Sequence, residues 1–201
     1  MVEGVPSVFR NAGGDRTASY DWFDFATGAA YKEFDACGAA NSAGSIYFLS
    51  NQTFDADSTN LQFGDSADLD FDINFSTPVV IASADAFINF TSYNNTGAKT
   101  NTIVFTLYHV TTTGVETSLG TVTCTATSAN PFYLRKCTKF AVTSKAVAIG
   151  EKLRLNVVHS DDGGTSYIYI DPKSRVTQTE TGSGATIGTD LKINIPFKVD
   201  I

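Results

Sequence analysis

The sequence predicts an all-β fold, an antiparallel β-sandwich of the jelly-roll type with about eight to ten strands. Apolar and polar residues alternate in many short segments, and no helical period of about ten or more residues interrupts them. Clusters of turn-forming residues recur roughly every 8–14 positions, a spacing typical of sandwiches and barrels. An immunoglobulin-like sandwich is the runner-up, although 201 residues make a long chain for that fold.

Composition narrows the class of protein. Hydrophobic residues make up 42% of the chain and charged residues 17%, which suits strands with polar outer faces. The net charge of −7 comes without a basic stripe, so we expect no nucleic-acid partner. The chain has no apolar run near 18 residues, so we expect no membrane partner. Its first residues lack the pattern of a Sec-type signal peptide.

The chain is predicted to consist of an extended N-terminal arm, residues 1–19, and a single β-sandwich domain, residues 20–201. Glycine and proline punctuate the arm, and no hydrophobic period persists in it. An extended segment of this kind can become ordered on a neighbouring subunit. The arm residues predicted to bind a partner are Val2, Val5, Pro6, Val8, Phe9 and Arg10.

In the first half, aromatic-rich segments at Tyr20–Ala26 and Tyr31–Ala36 are predicted to be neighbouring strands. The clearest amphipathic strand is Ala67–Ser76, in which every second residue is apolar. Thr77-Pro78 ends that strand, and Val79–Phe90 is predicted to be the next. The predicted apolar face of Ala67–Ser76 consists of Leu69, Phe71, Ile73 and Phe75, and the polar face of Asp68, Asp70, Asp72 and Asn74.

In the second half, strands at Thr102–Val110 and Glu116–Thr127 are predicted to form a hairpin around Thr112-Thr113-Gly114. A further hairpin is predicted within the stretch Gly150–Arg175, from strands Lys152–His159 and Ser166–Asp171. One face of its first strand is apolar, because leucine and valine alternate with polar residues there.

The last predicted strand, Asp190–Ile201, alternates throughout. Its proline, Pro196, cannot donate to a ladder, so the strand is predicted to lie at a sheet edge or to contain a bulge. The apolar side chains predicted to enter the core are Leu191, Ile193, Ile195, Phe197, Val199 and Ile201.

The chain has three cysteines, so at least one has no partner within the chain. If Glu116–Thr127 and Phe132–Val142 form a hairpin with a four-residue loop, Cys124 lies directly opposite Cys137. We therefore predict a Cys124–Cys137 disulfide that leaves Cys37 outside the bond. The alternative is that both are small buried side chains that stay reduced.

No catalytic residue is predicted, and the chain is expected not to be an enzyme. Its two histidines, His109 and His159, fall on predicted strands, where histidine is usually a packed or surface residue. The sequence has no nucleophile elbow, phosphate-binding loop or zinc-ligand spacing. A glycosidase that uses two loop aspartates stays open as an alternative, because the separation of carboxylates is a three-dimensional quantity.

No cofactor and no metal are predicted, with one weak exception. The acidic loop at residues 55–66 offers the weak calcium candidates Asp55, Asp57 and Asp65. The spacing departs from the known calcium-loop pattern. Aspartates 68, 70 and 72 are better explained as the wet face of a strand.

Aromatic side chains suggest a second kind of function, the binding of carbohydrate by stacking. The alternative is a purely structural role, because aromatic residues favour the pleated surface of strands. The aromatic residues considered are Tyr20, Trp22, Tyr31, Tyr93, Tyr133, Tyr167 and Tyr169.

Six segments together resemble a known class of protein: Thr17–Gly28, Tyr31–Ala36, Asp68–Pro78, Ile149–Val157, Ile170–Arg175 and Thr189–Ile201. They resemble small all-β virion structural proteins of tailed phages and related microbial viruses. In style they are similar to jelly-roll capsid decoration (cement) proteins. The motifs are structural, and they cover most of the chain.

The resemblance implies a decoration protein that binds and reinforces the outer capsid surface. Its expected partners are the major capsid protein or other virion subunits, and it is expected to be a homo-oligomer. The expected location is the outer surface of the virion, after assembly in the host cytoplasm. The alternative function is a carbohydrate-binding or host-adhesion module, on a head fibre or associated with the tail.

Overall fold

The fold is described from a computed structural model of the chain. The residues that the structure describes are 22–24, 29–41, 44–51, 61–63, 67–94, 99–128, 132–161, 166–168, 177–179, 186–188 and 191–198.

The described residues form sixteen strands and no helix, which confirms the all-β prediction. The strands are β1 Trp22–Asp24, β2 Ala29–Asn41, β3 Gly44–Ser50, β4 Leu61–Phe63, β5 Ala67–Asn74, β6 Val79–Ile81, β7 Asp85–Asn94, β8 Lys99–Val110, β9 Glu116–Ser128, β10 Phe132–Ala141, β11 Lys145–Val147, β12 Lys152–Asp161, β13 Ser166–Ile168, β14 Thr177–Thr179, β15 Thr186–Gly188 and β16 Lys192–Lys198.

Fourteen of these strands belong to one hydrogen-bonded sheet. Its main path runs β4-β13-β7-β16-β2-β3-β5-β12-β8-β9, while β1 pairs with β2, β10 with β7, and β6 with both β11 and β16. Strands β14 and β15 form a separate pair. The ladders are antiparallel, apart from a single parallel contact between β3 and β5.

The sheet wraps around one main core, to which strands from both ends of the path contribute. Phe71 of β5, Phe105 of β8 and Leu155 of β12 are fully buried, as are Phe90 of β7 and Ile193 of β16. The rings of Phe90 and Phe105 lie 5.0 Å apart, so β7 and β8 meet across the core. Strands far apart in the sheet order are therefore held together by apolar packing.

The predicted hairpin of β8 and β9 is confirmed over its whole length. Its turn is tight: the Thr111 amide donates to the Val115 carbonyl, and the Gly114 amide donates to the Thr111 carbonyl, both at 2.9 Å. Gly114 has a φ of +84°, a conformation that side chains other than glycine adopt at a cost. The register shifts once, because Leu119 is an extra residue in β9 between the partners of Leu107 and Tyr108.

The alternation predicted for β5 and β12 is also confirmed. Phe71 is buried and Asp68 is exposed, as the pattern requires. On β12, Leu153, Leu155 and Val157 are all fully buried.

The predicted hairpin within Gly150–Arg175 is wrong. Strand β12 lies between β5 and β8, and both of its edges are occupied by long ladders. Strand β13 lies elsewhere, between β4 and β7. The prediction failed because it assumed that consecutive strands pair, whereas β12 lies between two strands that are distant in the sequence.

Two further strand predictions need correction. The strand expected at Val79–Phe90 is divided into β6 and β7, because the chain bends at residues 82–84 and the two parts pair with different strands. Strand β16 is not an edge strand, since it lies between β2 and β7. Pro196 is tolerated there because it lies where the neighbour of β16 changes from β7 to β6.

The Cys124–Cys137 disulfide is also wrong, because both residues are free thiols. The hairpin behind the prediction does not form: β9 pairs with β8, and β10 pairs with β7. Cys124 is buried opposite Ile103, whereas Cys137 is exposed opposite Asn89. The buried thiol of Cys37 donates to the Asp35 carbonyl at 3.6 Å.

Several predictions lie outside the described residues. These are the whole N-terminal arm, with Val2, Val5, Pro6, Val8, Phe9 and Arg10, and the calcium candidates Asp55, Asp57 and Asp65. The division into an arm and one sandwich domain stays a prediction.

Candidate functional site

Two turns lie side by side at one end of the sheet, and we call residues 111–115 and 148–151 together the two-turn end. The first turn joins β8 to β9, and the second precedes β12, whose Lys152 pairs with Val110 of β8. In the second turn the Glu151 amide donates to the Ala148 carbonyl at 3.1 Å, and Gly150 has a φ of +86°. A glycine with positive φ at the third position is the mark of a type II turn.

A histidine–carboxylate pair connects the two turns. His109 Nε2 lies 2.9 Å from Glu151 Oε2, and the same oxygen accepts the Ala148 amide at 2.8 Å. His109 is nearly fully buried and Glu151 is partly exposed. The backbone hydrogen bond from Ala148, and then the one from His109, hold the pKa of Glu151 below its usual value of 4.5.

This pair has part of the arrangement of a catalytic acid–base unit, in which a carboxylate orients a histidine. Its geometry instead fits a structural role. The His109 ring is 3% exposed, and its Nδ1 has no hydrogen-bond partner among the described residues. A substrate in solvent therefore does not reach the imidazole in this conformation.

The outer face of β5, β12 and β9 carries the densest network of charges among the described residues. Arg154 of β12 binds Asp72 through two nitrogens, Nε at 2.7 Å and Nη2 at 2.9 Å. Its Nη1 lies 2.6 Å from Asp70 and 2.7 Å from Glu116. One guanidinium thus ties together three strands, and the fork geometry of arginine makes this possible.

The network extends along both strands. Lys152 Nζ binds Asp72 Oδ2 at 2.8 Å. Asn156 Nδ2 donates to Asp70 Oδ1 at 2.9 Å and also to Asp68. Four carboxylates and two cations leave this face with a negative balance.

Asp72 is the centre of this network. Its partial burial favours the neutral acid, but the hydrogen bonds from Arg154 and Lys152 outweigh burial and hold the pKa of Asp72 below its usual value of 3.8. The contribution of Asp72 to stability is therefore present above pH 3.8 and is lost as the pH falls through its lower folded-state pKa.

Replacement of this central carboxylate should test the network. We expect Asp72→Asn to lower the free energy of unfolding at pH 7 by about 1–2 kcal/mol, because a partly buried bidentate pair is broken. In denaturant titrations at several pH values, the difference from wild type should begin to shrink below pH 3.8 and vanish once the pH is below the folded-state pKa of Asp72. The matched control is Asp85→Asn, which removes the exposed pair with Lys139 and should cost clearly less, because solvent screens an exposed pair. Equal losses from the two variants would contradict the special role of Asp72.

A smaller cluster lies on β2 and β16. Lys192 Nζ lies 2.9 Å from Glu33 and 3.4 Å from Asp35. Burial lowers the pKa of Lys192, but the two carboxylates outweigh burial, so that its pKa lies above its usual value. Lys192 therefore stays charged and forms cross-strand ion pairs with Glu33 and Asp35.

The structure brings together only part of the aromatic set. Tyr93, Tyr133 and Tyr167 occupy one row of the register across β10, β7 and β13. Tyr31 is buried, and its ring lies 5.8 Å from that of Phe87, so it is not available for stacking with a ligand. Tyr20 and Tyr169 lie outside the described residues.

His109 and His159 are both packed within strands, as the sequence suggested. Sequence analysis missed the partner of His109, because Glu151 is 42 positions away and the ladder between β8 and β12 was not foreseen. Within the described ranges, no group of three or more histidine, cysteine or acidic residues is arranged to hold a metal ion. The same part of the chain contains no helix of the length and apolarity that a membrane span requires.

Comparison with known proteins gives a fold and no family. No protein-family model matches the chain, and no curated protein matches it. Solved structures do match. A CocE/NonD family hydrolase from Staphylococcus aureus is similar over 94% of this chain and 40% of its own, with 12% identity and a TM-score of 0.54. An aminopeptidase from a marine sediment Thaumarchaeota archaeon is similar over 95% of this chain and 40% of its own, with 8% identity and a TM-score of 0.57.

These likenesses establish a shared fold, and this chain spans about two fifths of the length of those enzymes. They overturn the expectation of a non-enzymatic capsid decoration protein, because the similar structures are hydrolases. The described segments behind the resemblance, such as those in β5 and β12, are alternating strands, which this fold requires in any functional class. The predicted partners, the homo-oligomer and the location stay predictions.

Proposed function

We propose that this chain is the β-unit of a hydrolase, the part that packs beside a catalytic unit and helps to frame its substrate. The observation that supports this proposal is the extent of the structural likeness. Almost the whole chain aligns with a hydrolase and with an aminopeptidase, yet it accounts for only about two fifths of either. The remaining three fifths of such an enzyme is the place for a catalytic unit.

The described residues fit this division of labour. Their histidine–carboxylate hydrogen bond, His109 to Glu151, lies at the two-turn end with its imidazole buried. In their densest charged network, Arg154 is paired with Asp70, Asp72 and Glu116 of the same chain. The nucleophile and its base are therefore expected outside the described residues, on a further unit or in the rest of this chain.

We further propose that the strands close as a jelly-roll type of sandwich. The support is the ladder order, in which β12 lies between β5 and β8, and β16 lies between β2 and β7. Such non-consecutive neighbours are typical of Greek-key and jelly-roll connections.

The proposed function is tested by size fractionation of an extract of the cells that make the protein. We expect the chain to elute with a larger partner, in fractions that hydrolyse p-nitrophenyl esters or aminoacyl p-nitroanilides. If the chain carries its own nucleophile, the purified chain will hydrolyse these substrates alone, which also supports a hydrolase. Elution apart from every hydrolysing fraction, with no activity of the purified chain, would contradict the proposal.

A further inference from the structure

We propose that the two-turn end is an acid-responsive device, in which ionised Glu151 holds the two turns together and protonation of its carboxylate releases them. The inference rests on one oxygen atom, Glu151 Oε2, that takes part in two hydrogen bonds. Glu151 Oε2 accepts the Ala148 amide of its own turn and the Nε2 proton of His109, the residue two positions before the other turn. Backbone hydrogen bonds form each turn, and this one carboxylate adds the side-chain link between them.

The neighbours of His109 in the sheet offer no charged alternative to Glu151. The residues paired with it in the ladders are Leu153 of β12 and Thr117 of β9, neither of which carries a charge. Its Nδ1 is buried and has no hydrogen-bond partner among the described residues. Glu151 is the anion within hydrogen-bond distance of the ring.

The other charged groups at this end are already occupied or favour the closed state. Lys145 of β11 attracts the Glu151 carboxylate and favours its ionised form. Glu116 of β9 binds Arg154, and Lys152 of β12 binds Asp72. None of these three groups replaces Glu151 as an acceptor for His109. The two lysines are cations and have no acceptor atom, and Glu116 is bound to Arg154.

Protonation of Glu151 removes the negative charge on the oxygen that both hydrogen bonds share. A hydrogen bond to an ionised acceptor is roughly twice as strong as one between neutral groups, so both bonds weaken together. The link between β8 and the second turn is therefore weakest when Glu151 is neutral.

The sign of the effect follows from the lowered pKa of Glu151. A carboxylate with a depressed folded-state pKa contributes stability above its usual value of 4.5 and loses that contribution as the pH falls through the folded value. The device is therefore closed at neutral pH and opens below pH 4.5.

Opening would alter an apolar surface. Among the described residues, the large hydrophobic side chains that are exposed are Val115, at 60%, and Ile149, at 64%. One belongs to each of the two turns, which lie side by side. Release of the turns changes their relative position, so acid changes what this surface can contact.

Amide hydrogen exchange measured by NMR from pH 7 to pH 3 tests the device. In the wild type, the protection factor of the Ala148 amide should fall by about tenfold per pH unit below the folded-state pKa of Glu151, following the ionised fraction. The Leu155 amide, in the middle of β12, should stay protected over the same range. Loss of protection at both amides together would mean global unfolding and would overturn the inference, as would an Ala148 amide that stays protected at pH 3.

Variants separate the carboxylate from the histidine. Glu151→Gln should make Ala148 protection independent of pH, whereas the matched control Glu116→Gln, at the same end but outside the pair, should keep the wild-type response. His109→Leu removes the ring that links the carboxylate to β8, so its acid response should be weaker than that of the wild type. An unchanged response in Glu151→Gln would overturn the inference. None of these results depends on hydrolysis, so the device and the proposed function can fail separately.

Discussion

Phe197→Ala is expected to lower the free energy of unfolding by about 3–5 kcal/mol, the usual cost of truncating a buried phenylalanine. Phe197 is 4% exposed on β16. Its ring lies 6.2 Å from that of Phe34 on β2 and 5.9 Å from that of Phe75, which follows β5. Truncation leaves a cavity at the contact between β16, β2 and the end of β5, and the surrounding rings can fill it only in part.

Urea or guanidinium titration with two-state analysis measures this loss. The adjacent residue, Lys198, is exposed, and Lys198→Ala should cost less than about 0.5 kcal/mol. A loss below about 1 kcal/mol in Phe197→Ala would contradict the placement of this ring in the core.

Gly120→Ala is the second substitution with a large expected effect. A Cβ at this position would lie 2.3 Å from the carbonyl oxygen of Ala141 and 2.9 Å from Cδ2 of Phe140. The first contact is with backbone that is held in place, since the Thr143 amide donates to the Leu119 carbonyl at 2.8 Å. We expect a loss of about 2–3 kcal/mol, typical of an overpacked site that must shift its backbone.

The matched control is Gly114→Ala, at the turn between β8 and β9. A Cβ there meets nothing within 4 Å, so its only cost is the positive φ of 84°. That strain is worth about 1 kcal/mol. If thermal or chemical denaturation shows that Gly114→Ala is more destabilising than Gly120→Ala, the close approach of β9 to residues 140–141 is wrong.

The sequence predicted the faces of strands better than their neighbours. The alternation of apolar and polar residues in β5 and β12 shows which face of each strand is buried, and this pattern can be read from each segment alone. Partner choice depends on the rest of the chain. The two failed hairpins both assumed that consecutive strands pair, whereas β12 lies between β5 and β8 and β10 pairs with β7. The β8–β9 hairpin was predictable because its turn residues specify it.

The same limit applies to the candidate site. The acidic residues of β5 were correctly placed on a wet face, but their common partner Arg154 lies 82 positions from Asp72. No local signal in the sequence connects them. The pairing of His109 with Glu151 likewise requires the register of β8 against β12. The class of protein was mispredicted because strand motifs describe a fold that different functions share.

Immunodepletion tests the proposed hydrolase role most directly. An antibody against the chain is used to remove it from an extract of the cells that make it, and ester and aminoacyl anilide hydrolysis is measured before and after. We expect the co-eluting activity to fall in proportion to the chain removed, either because its catalytic partner leaves with it or because the chain itself is lost. Activity that stays unchanged after complete removal of the chain would contradict a role in a hydrolase.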